Sequence, residues 1–449
     1  MKRKLMATVA LAIALLLPSC GSEKAVMPNS QETTTVTPPP EVTSADTISH
    51  SPAKSGFVNL TRNNTTVLGC GGVDGYYETY AADNGGVNVV YIDYATAQEM
   101  YLCASPNCTH DSEACNTWIP PEEAGLFPLV SGEHLLLIHR TYGGEEGVQA
   151  IPRIDHMNLD GSDRKTLIEF DANEYIKDVF AANGNTLICA INSVGSSTSP
   201  EATFRLVEVD LNTGARTDFY EQSVQVGMEP IFMGVTDSGY CILSQFTETK
   251  SPSDFPDQEW NEISAEIARS RVYTWTAIPV GYNEAEQFFT YNGRIENYLA
   301  ADGLYIYDQD AREVLHVSVP DAQQTHIATL PDENATSAYI DGRMDDWLLL
   351  SVRRYEQVEN IEYNVAVDVC YAVNTETGEI VKLDITQQVA ADQRMALMLA
   401  QTDSEILLVT DSETSNYPHY GMEYSVIGKE DYLHSNASAL RRVQFIENS

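Results

Sequence analysis

Along residues 56–449, apolar and polar positions alternate in short runs, and most runs stop at Gly, Asp or Asn. The stretch "RLVEVDLNTGARTDFYE" (205–221) shows the form: alternation, a turn at Asp210 to Gly214, then alternation again. "RIDHMNLDGSDRKTLIEF" (153–170) turns at Asn158 to Gly161, and "CYAVNTETGEIVKLDIT" (370–386) turns at Asn374 to Gly378. "VVYIDYATAQEMYLC" (89–103) is a fourth copy. A period of two marks a half-buried strand. Glycine supplies the positive φ of a tight turn, and Asp or Asn caps it with a side-chain oxygen. Each phrase therefore predicts an antiparallel hairpin.

Weaker copies fill the gaps. "YTWTAIPVGYNEAEQFF" (273–289), "LHVSVPDAQQTHIATL" (315–330) and "EYSVIGKEDYLHS" (423–435) match in strand pattern alone. Aligned turn positions fall at 93, 158, 210, 279, 320, 374 and 425, with successive spacings of 65, 52, 69, 41, 54 and 51. A second pair of strand-like runs precedes most copies, such as 178–194 and 404–412. Four strands per unit at this spacing predict an all-β fold, a single β-propeller of seven four-stranded blades. The uneven spacing leaves six or eight blades, a solenoid or tandem sandwiches as alternatives. In the widest gap, Trp260, Ile263, Ile267 and Ala268 recur at helical spacing, which predicts a short inserted helix near 256–269. Such a stripe buries against the propeller flank or forms a lid over one face.

Upstream of the repeats the pattern changes. Lys2, Arg3 and Lys4 precede an apolar run from Leu5 to Leu17, too short to span a membrane and suited to a cleaved export signal. The ending Leu17-Pro18-Ser19-Cys20 resembles a bacterial lipobox, L-x-S-C. That resemblance implies a signal peptide over 1–19 and a lipid on Cys20, giving an extracytoplasmic protein anchored to the cell membrane. Residues 20–55 are rich in Ser, Thr, Pro and Glu and predict a disordered tether with a reach of about 30 Å. The propeller domain then occupies 56–449. The chain carries 65 acidic and 26 basic residues, a net charge of −39. That charge opposes nucleic acid and anionic headgroups and names no partner.

The chemistry-bearing residues are few. "YLCASPNCTHDSEACNTW" (101–118) places Cys103, Cys108, His110 and Cys115 within thirteen positions, and Cys70 lies upstream in the first repeat. Four cysteines allow two disulfides; alternatively the Cys3His set has the ligand types and number for a structural tetrahedral zinc. Export favours disulfides, and free thiols are the third reading. Pro106 ends the strand before it, so 104–117 is expected to be an irregular loop closed by its own sulfurs. Cys189, Cys241 and Cys370 sit in predicted strands as small apolar residues. "NLDGSD" (158–163) has oxygens at alternate positions like a fragment of a calcium loop, but it lacks the distal Glu and reads as a turn. Tyr417, His419, Tyr420 and Tyr424 cluster in "NYPHYGMEY" (416–424), a candidate ligand-binding loop or blade-edge packing. No zinc-protease, nucleophile-elbow or P-loop motif occurs.

The phrases "MNLDGSDRKTL" and "VEVDLNTGA" resemble the repeats of TolB-like propellers. Together with "LCASPNCTHDSEACN" and "YSVIGKEDY", they make the chain similar to uncharacterised surface lipoproteins of anaerobic bacteria. The resemblance implies a propeller fold and a surface lipoprotein, and carries no activity with it. Two functions are then expected. One is a binding or scaffold module for a protein or glycan partner. The other is a carbohydrate- or peptide-processing propeller enzyme with its site at the central channel.

Overall fold

A computed structural model describes residues 56–446, apart from 62–68, 83, 104, 124, 141–150, 194–200, 226, 257, 259, 332–334, 359–363, 390 and 412–421. The signal, Cys20 and the tether lie outside the described residues, as do Tyr417, His419 and Tyr420.

Strand pairing divides the chain into seven antiparallel blades, spanning 69–119, 126–169, 174–225, 231–292, 295–329, 337–383 and 397–442. Blades 6 and 7 share one extended sheet, bridged by the hairpin Thr386–Val389 with Asp392–Met395 through single residue pairs on each side. Within each blade the strands pair in chain order, so the first is innermost and the fourth outermost.

Packing joins the blades into a closed ring. Apolar clusters bridge successive blades: Val89, Leu137 and Cys189 run through blades 1 to 3, and Leu206 meets Val235 between blades 3 and 4. Trp275 packs with Leu304, Tyr305 with Leu350, and Cys370 with Leu408. Tyr76 and Ile92 of blade 1 then meet Leu407 and Val426 of blade 7, which closes the circle. Alternation explains how one strand serves two neighbours: successive side chains point to opposite sheet faces, and both faces are covered. Cys189, Cys241 and Cys370 are buried, as expected of small apolar residues.

The ends of the chain latch this ring. Arg441 donates to the carbonyls of Tyr94 and Ala95 in blade 1 and to Glu405 in blade 7. Gln444 exchanges backbone hydrogen bonds with Ala97 and Glu99 at 2.9 Å each. At the other end, Val58–Asn59 pairs with the inner strand of blade 3, Glu174–Asn183. The Asn59 amide donates to the Val235 carbonyl at 3.1 Å and accepts from the Val235 N–H at 2.8 Å. The Thr61 hydroxyl accepts from the Phe180 N–H at 2.9 Å. Before blade 1 begins, the chain therefore lies along the inner strands of blades 3 and 4.

The repeat phrases fold as expected. The turns at 158, 210, 279, 320 and 374 join third to fourth strands, as does the one at 93. Asp210 Oδ1 accepts from the Asn212 and Thr213 amides and the Thr213 hydroxyl, and Asn374 repeats this with Glu376 and Thr377. Asp93 caps Thr96 in the same way. The turn at 158 has Gly161 at a φ of +79°, an ordinary tight turn. The last position, 425, is corrected. It falls inside the strand Glu423–Gly428, and the connection that follows is a short helix, Lys429–Leu433, instead of a hairpin. Blade 4 carries the expected helix, Trp260–Arg269, with Ile263 and Ile267 buried and Trp260 exposed.

Connection lengths are sorted by face. Every turn between first and second strands, and every connection between third and fourth, emerges on one face; all but the last of these are six residues or shorter. Connections between second and third strands, and between blades, emerge on the other. That long-loop face carries the inserted helix and the strand ends His139 and Arg153, Ser193 and Glu201, Gln357 and Asn364, and Asp411 and Glu423. Antiparallel four-stranded blades force this division, because each strand reverses direction.

Candidate functional site

The cysteine loop grows out of the middle of one strand. Tyr101 pairs with Val90, and Trp118 pairs with Asn88, on the same strand Val87–Asp93. The outer edge of blade 1 is thus a single strand from which 102–117 loop out and return. Both ends of the loop hold Val89: the Leu102 N–H donates to its carbonyl, and its N–H donates to the Thr117 carbonyl.

At this neck the structure gathers Cys103, Cys108, His110 and Cys115, with one ligand atom from each lying within 4.8 Å of the others. None of the seven described cysteines is in a disulfide. His110 Nδ1 is 3.5 Å from Cys115 Sγ. A tetrahedral centre with bonds of about 2.3 Å to sulfur and 2.05 Å to nitrogen would set these atoms about 3.6 Å apart. The set fits a metal in its donors as well: three soft thiols and one imidazole.

Neighbouring groups orient the donors. The His110 ring stacks on Tyr101 with centroids 4.1 Å apart and planes 10° from parallel. His110 sits at a φ of +55°, and the Asn88 side chain donates to its carbonyl at 2.9 Å. Asn84 likewise donates to the Asp111 carbonyl at 2.8 Å. Cys115 is buried, with the Thr117 hydroxyl 3.2 Å from its sulfur. Ligand orientation by such outer partners is typical of metal sites. Burial pushes the Cys103 thiol up, but hydrogen bonds from Ser105 and the adjacent sulfurs prevail and hold it below the ordinary thiol value. At Cys108 a backbone hydrogen bond from His110 pulls down, while burial and the two neighbouring sulfurs prevail and push the thiol up to about 11. Burial holds the His110 imidazole below its ordinary value.

Cys70 stands apart from the cluster. It lies on the inner strand Gly69–Gly71, in the core shared with blade 2, and burial pushes its thiol up to about 11. Tyr424 is not part of a surface loop. It is buried in the strand Glu423–Gly428 and donates to Glu78 at 3.0 Å across the seam between blades 7 and 1.

The central channel holds a cavity of about 140 Å³ bordered by Asn59, Thr61, Met233, Tyr298, Arg343 and Gln401. Arg343 is committed to Asp302 at 2.6 Å and lies over the Tyr305 ring. On the inner strand of blade 5, burial and then Asp341 of blade 6 push the Glu296 carboxyl up to about 7, against a smaller pull from Arg271. Nothing in the pattern of 56–61 signals that these residues share this space: a two-residue strand has no periodicity to read.

No protein-family model matches the chain, and no curated protein matches it in sequence. Solved structures similar to it include Porphyromonas gingivalis dipeptidyl peptidase 4, at 10% identity over 88% of this chain and 60% of that one, with a TM-score of 0.42. A putative 6-phosphogluconolactonase from Bacteroides uniformis matches at 12% identity over 83% and 95%, with a TM-score of 0.40. Oligogalacturonate lyase from Vibrio parahaemolyticus matches at 12% over 82% and 85%, with a TM-score of 0.38. The chain spans about half the length of the acylaminoacyl peptidases it also matches. Likeness at this level transfers no activity, and the seven blades rest on the strand pairing and packing described above.

Proposed function

We propose that this chain is a lipid-anchored, extracytoplasmic binding or scaffold propeller, whose long-loop face engages a protein or glycan partner. The observation that carries the reading is the division of the two faces. The chain enters at Gly56, beside Asn183 on the tight-turn face, and fills part of the channel with its own residues. The opposite face carries the inserted helix Trp260–Arg269. It also carries exposed Ile151, Met228, Ile231, Phe246, Trp260, Tyr355 and Val358, seven of the eleven large apolar side chains that stand exposed among the described residues. Exposed apolar groups gathered on one face favour contact with a partner.

The alternative is an enzyme working at the channel, and Glu296 beside Asp341 is the observation in its favour, since raised carboxyls mark catalytic sites. Neither Glu296 nor Asp341 is among the described residues that border the channel cavity, which gives this reading less support.

Cys103, Cys108, His110 and Cys115 are proposed to hold a structural zinc that staples the rim loop. Crosslinking a loop of this length is worth about 3 kcal/mol against the unfolded chain. Purified protein should carry one zinc per chain, and Cys108→Ser should lose the metal and expose 104–114 to protease. Three freely alkylated thiols with no bound metal would sink the proposal.

The anchored binder is tested in membranes. Cys20→Ala should shift the folded protein to the soluble fraction, and equal membrane retention would end the lipid claim. Full-length protein pulled from native membranes should bring down a partner that Trp260→Ala combined with Tyr355→Ala fails to retain. Capture indifferent to both changes would remove the long-loop face from the reading.

A further inference from the structure

We propose that the zinc site on the edge of blade 1 is opened by oxidation: a hydroperoxide joins Cys103 to Cys108 as a disulfide, and the metal leaves. The observation that carries this is how the thiols are sorted by access. Of the seven described cysteines, Cys70, Cys115, Cys189, Cys241 and Cys370 are buried, whereas Cys103 and Cys108 are half-buried. These two belong to the same four-donor cluster, whose ligand atoms lie within 4.8 Å of one another. Among the described residues, the sulfurs that a small solute reaches first are therefore neighbours.

Local turns set up the pair. The Cys108 N–H donates to the Ser105 carbonyl at 3.2 Å and Asn107 sits at a φ of +61°, so a tight turn folds Cys108 back toward Cys103. Cys115 belongs to a second turn, in which its N–H donates to the Ser112 carbonyl at 2.9 Å. Its sulfur is covered, 3.2 Å from the Thr117 hydroxyl. Joining Cys103 to Cys108 therefore draws on one turn and leaves the other in place. The chemistry balances in two steps. A metal-bound thiol is deprotonated, and the thiolate is the nucleophile. Cys103 Sγ attacks the outer oxygen of the hydroperoxide, the O–O bond breaks, and the leaving alkoxide takes a proton from solvent. Cys108 Sγ then attacks the sulfenic sulfur, the S–S bond forms, and the leaving hydroxide takes a second proton. Two electrons pass from the two sulfurs to the peroxide, which ends as an alcohol and water. His110 and Cys115 remain, two donors where a structural zinc needs four. The oxidised loop keeps its first turn tied to Cys103 and frees the second from the neck.

This deepens the zinc reading above by naming how the site is regulated, and it rests on that reading. The test treats zinc-loaded full-length protein with hydrogen peroxide, follows released metal with a chromogenic chelator, and maps the cysteines by alkylation and mass spectrometry after unfolding. Each chain should release its zinc as one Cys103–Cys108 crosslink forms, with the mass of two hydrogens lost. Cys70, Cys115, Cys189, Cys241 and Cys370 should be recovered as free thiols. A thiol reductant should restore zinc binding. Cys115→Ser, which lacks one donor, should lose the metal and still form the crosslink. Zinc retained under peroxide, a crosslink through Cys115, or sulfinic acid in place of the disulfide would overturn the proposal. Protein that takes up no zinc ends both readings, whereas zinc that binds and then resists peroxide ends this one alone.

Discussion

Replacing Glu296 with Gln should make the propeller more stable in base and leave it unchanged in acid. Glu296 sits on the inner strand Ile295–Ala300, paired with Tyr307. Burial raises its carboxyl from the ordinary 4.5 to about 7, Asp341 adds to the rise, and Arg271 opposes it. An acid held above its ordinary value binds its proton more tightly in the fold than in the unfolded chain. Stability therefore falls as pH rises from about 4.5, and the loss is complete above about 7. Each pH unit is worth about 1.4 kcal/mol, so the penalty carried in base is about 3 kcal/mol. Gln keeps the shape and hydrogen-bonding capacity without the charge. Urea midpoints for wild type and Glu296→Gln should differ by about 3 kcal/mol near pH 8.5 and by almost nothing near pH 4.5. In a body of roughly 390 residues that gain raises Tm by about 3–4 °C. Glu376→Gln, on an exposed turn, controls for removing one charge from an acidic protein. An equal gain at both pH values, or a loss near pH 8.5, would refute the reasoning.

Two further changes test the ring and its inner segment. Gly234 has a φ of +132°, and a methyl there would lie 2.4 Å from Asn59 Oδ1. Gly234→Ala should cost about 2–3 kcal/mol through backbone strain and the lost Asn59 contacts. In urea unfolding that cost should shrink when Asn59 is already Ala; an unchanged cost would mean that 57–61 does not dock. Ending the chain at Leu440 removes the Arg441 contacts to Tyr94, Ala95 and Glu405 together with the Gln444 pairing. Calorimetry should show a loss of about 3–5 kcal/mol as one lowered transition, and a separate early melt of blade 7 would contradict a closed ring.

Hairpins were legible in the sequence because their signals are local. Asp210 and Asn374 cap their own turns, and the flanking alternation needs only one neighbouring strand to be meaningful. The seventh copy misled for a related reason. Glu423–Gly428 has the strand pattern, but the following Lys429–Leu433 turns the chain by a helical route that the hairpin template does not contain. The cysteine cluster was visible because its four donors lie within thirteen positions. Cys70 looked like a fifth member on proximity in sequence, yet its inner strand commits it to the core with blade 2. Val58–Asn59 was silent, because its hydrogen bonds reach partners more than a hundred positions away.

The two long insertions differ in what can hold them in place. Trp260–Arg269 has an apolar stripe, and burying Ile263 and Ile267 stabilises it by about 3–6 kcal/mol. That helix therefore holds its position against the blade by ordinary burial. The loop from 102 to 117 has no such stripe: 105–107 and 111–114 are exposed and are Ser, Pro, Asn, Asp, Ser, Glu and Ala. Nothing in that run can repay its ordering entropy by burial. Hydrogen bonds from Asn84 and Asn88 reach only its far side, and each contributes about 1 kcal/mol. The metal proposed at the neck would act where burial cannot, by limiting what the unfolded loop explores. Cys103 and Cys115 stand at that neck, and His110 and Cys108 fold back onto it from the tip. The position of the donors thus follows from the composition of the loop, and the same composition predicts that losing them would loosen the rim without opening the ring.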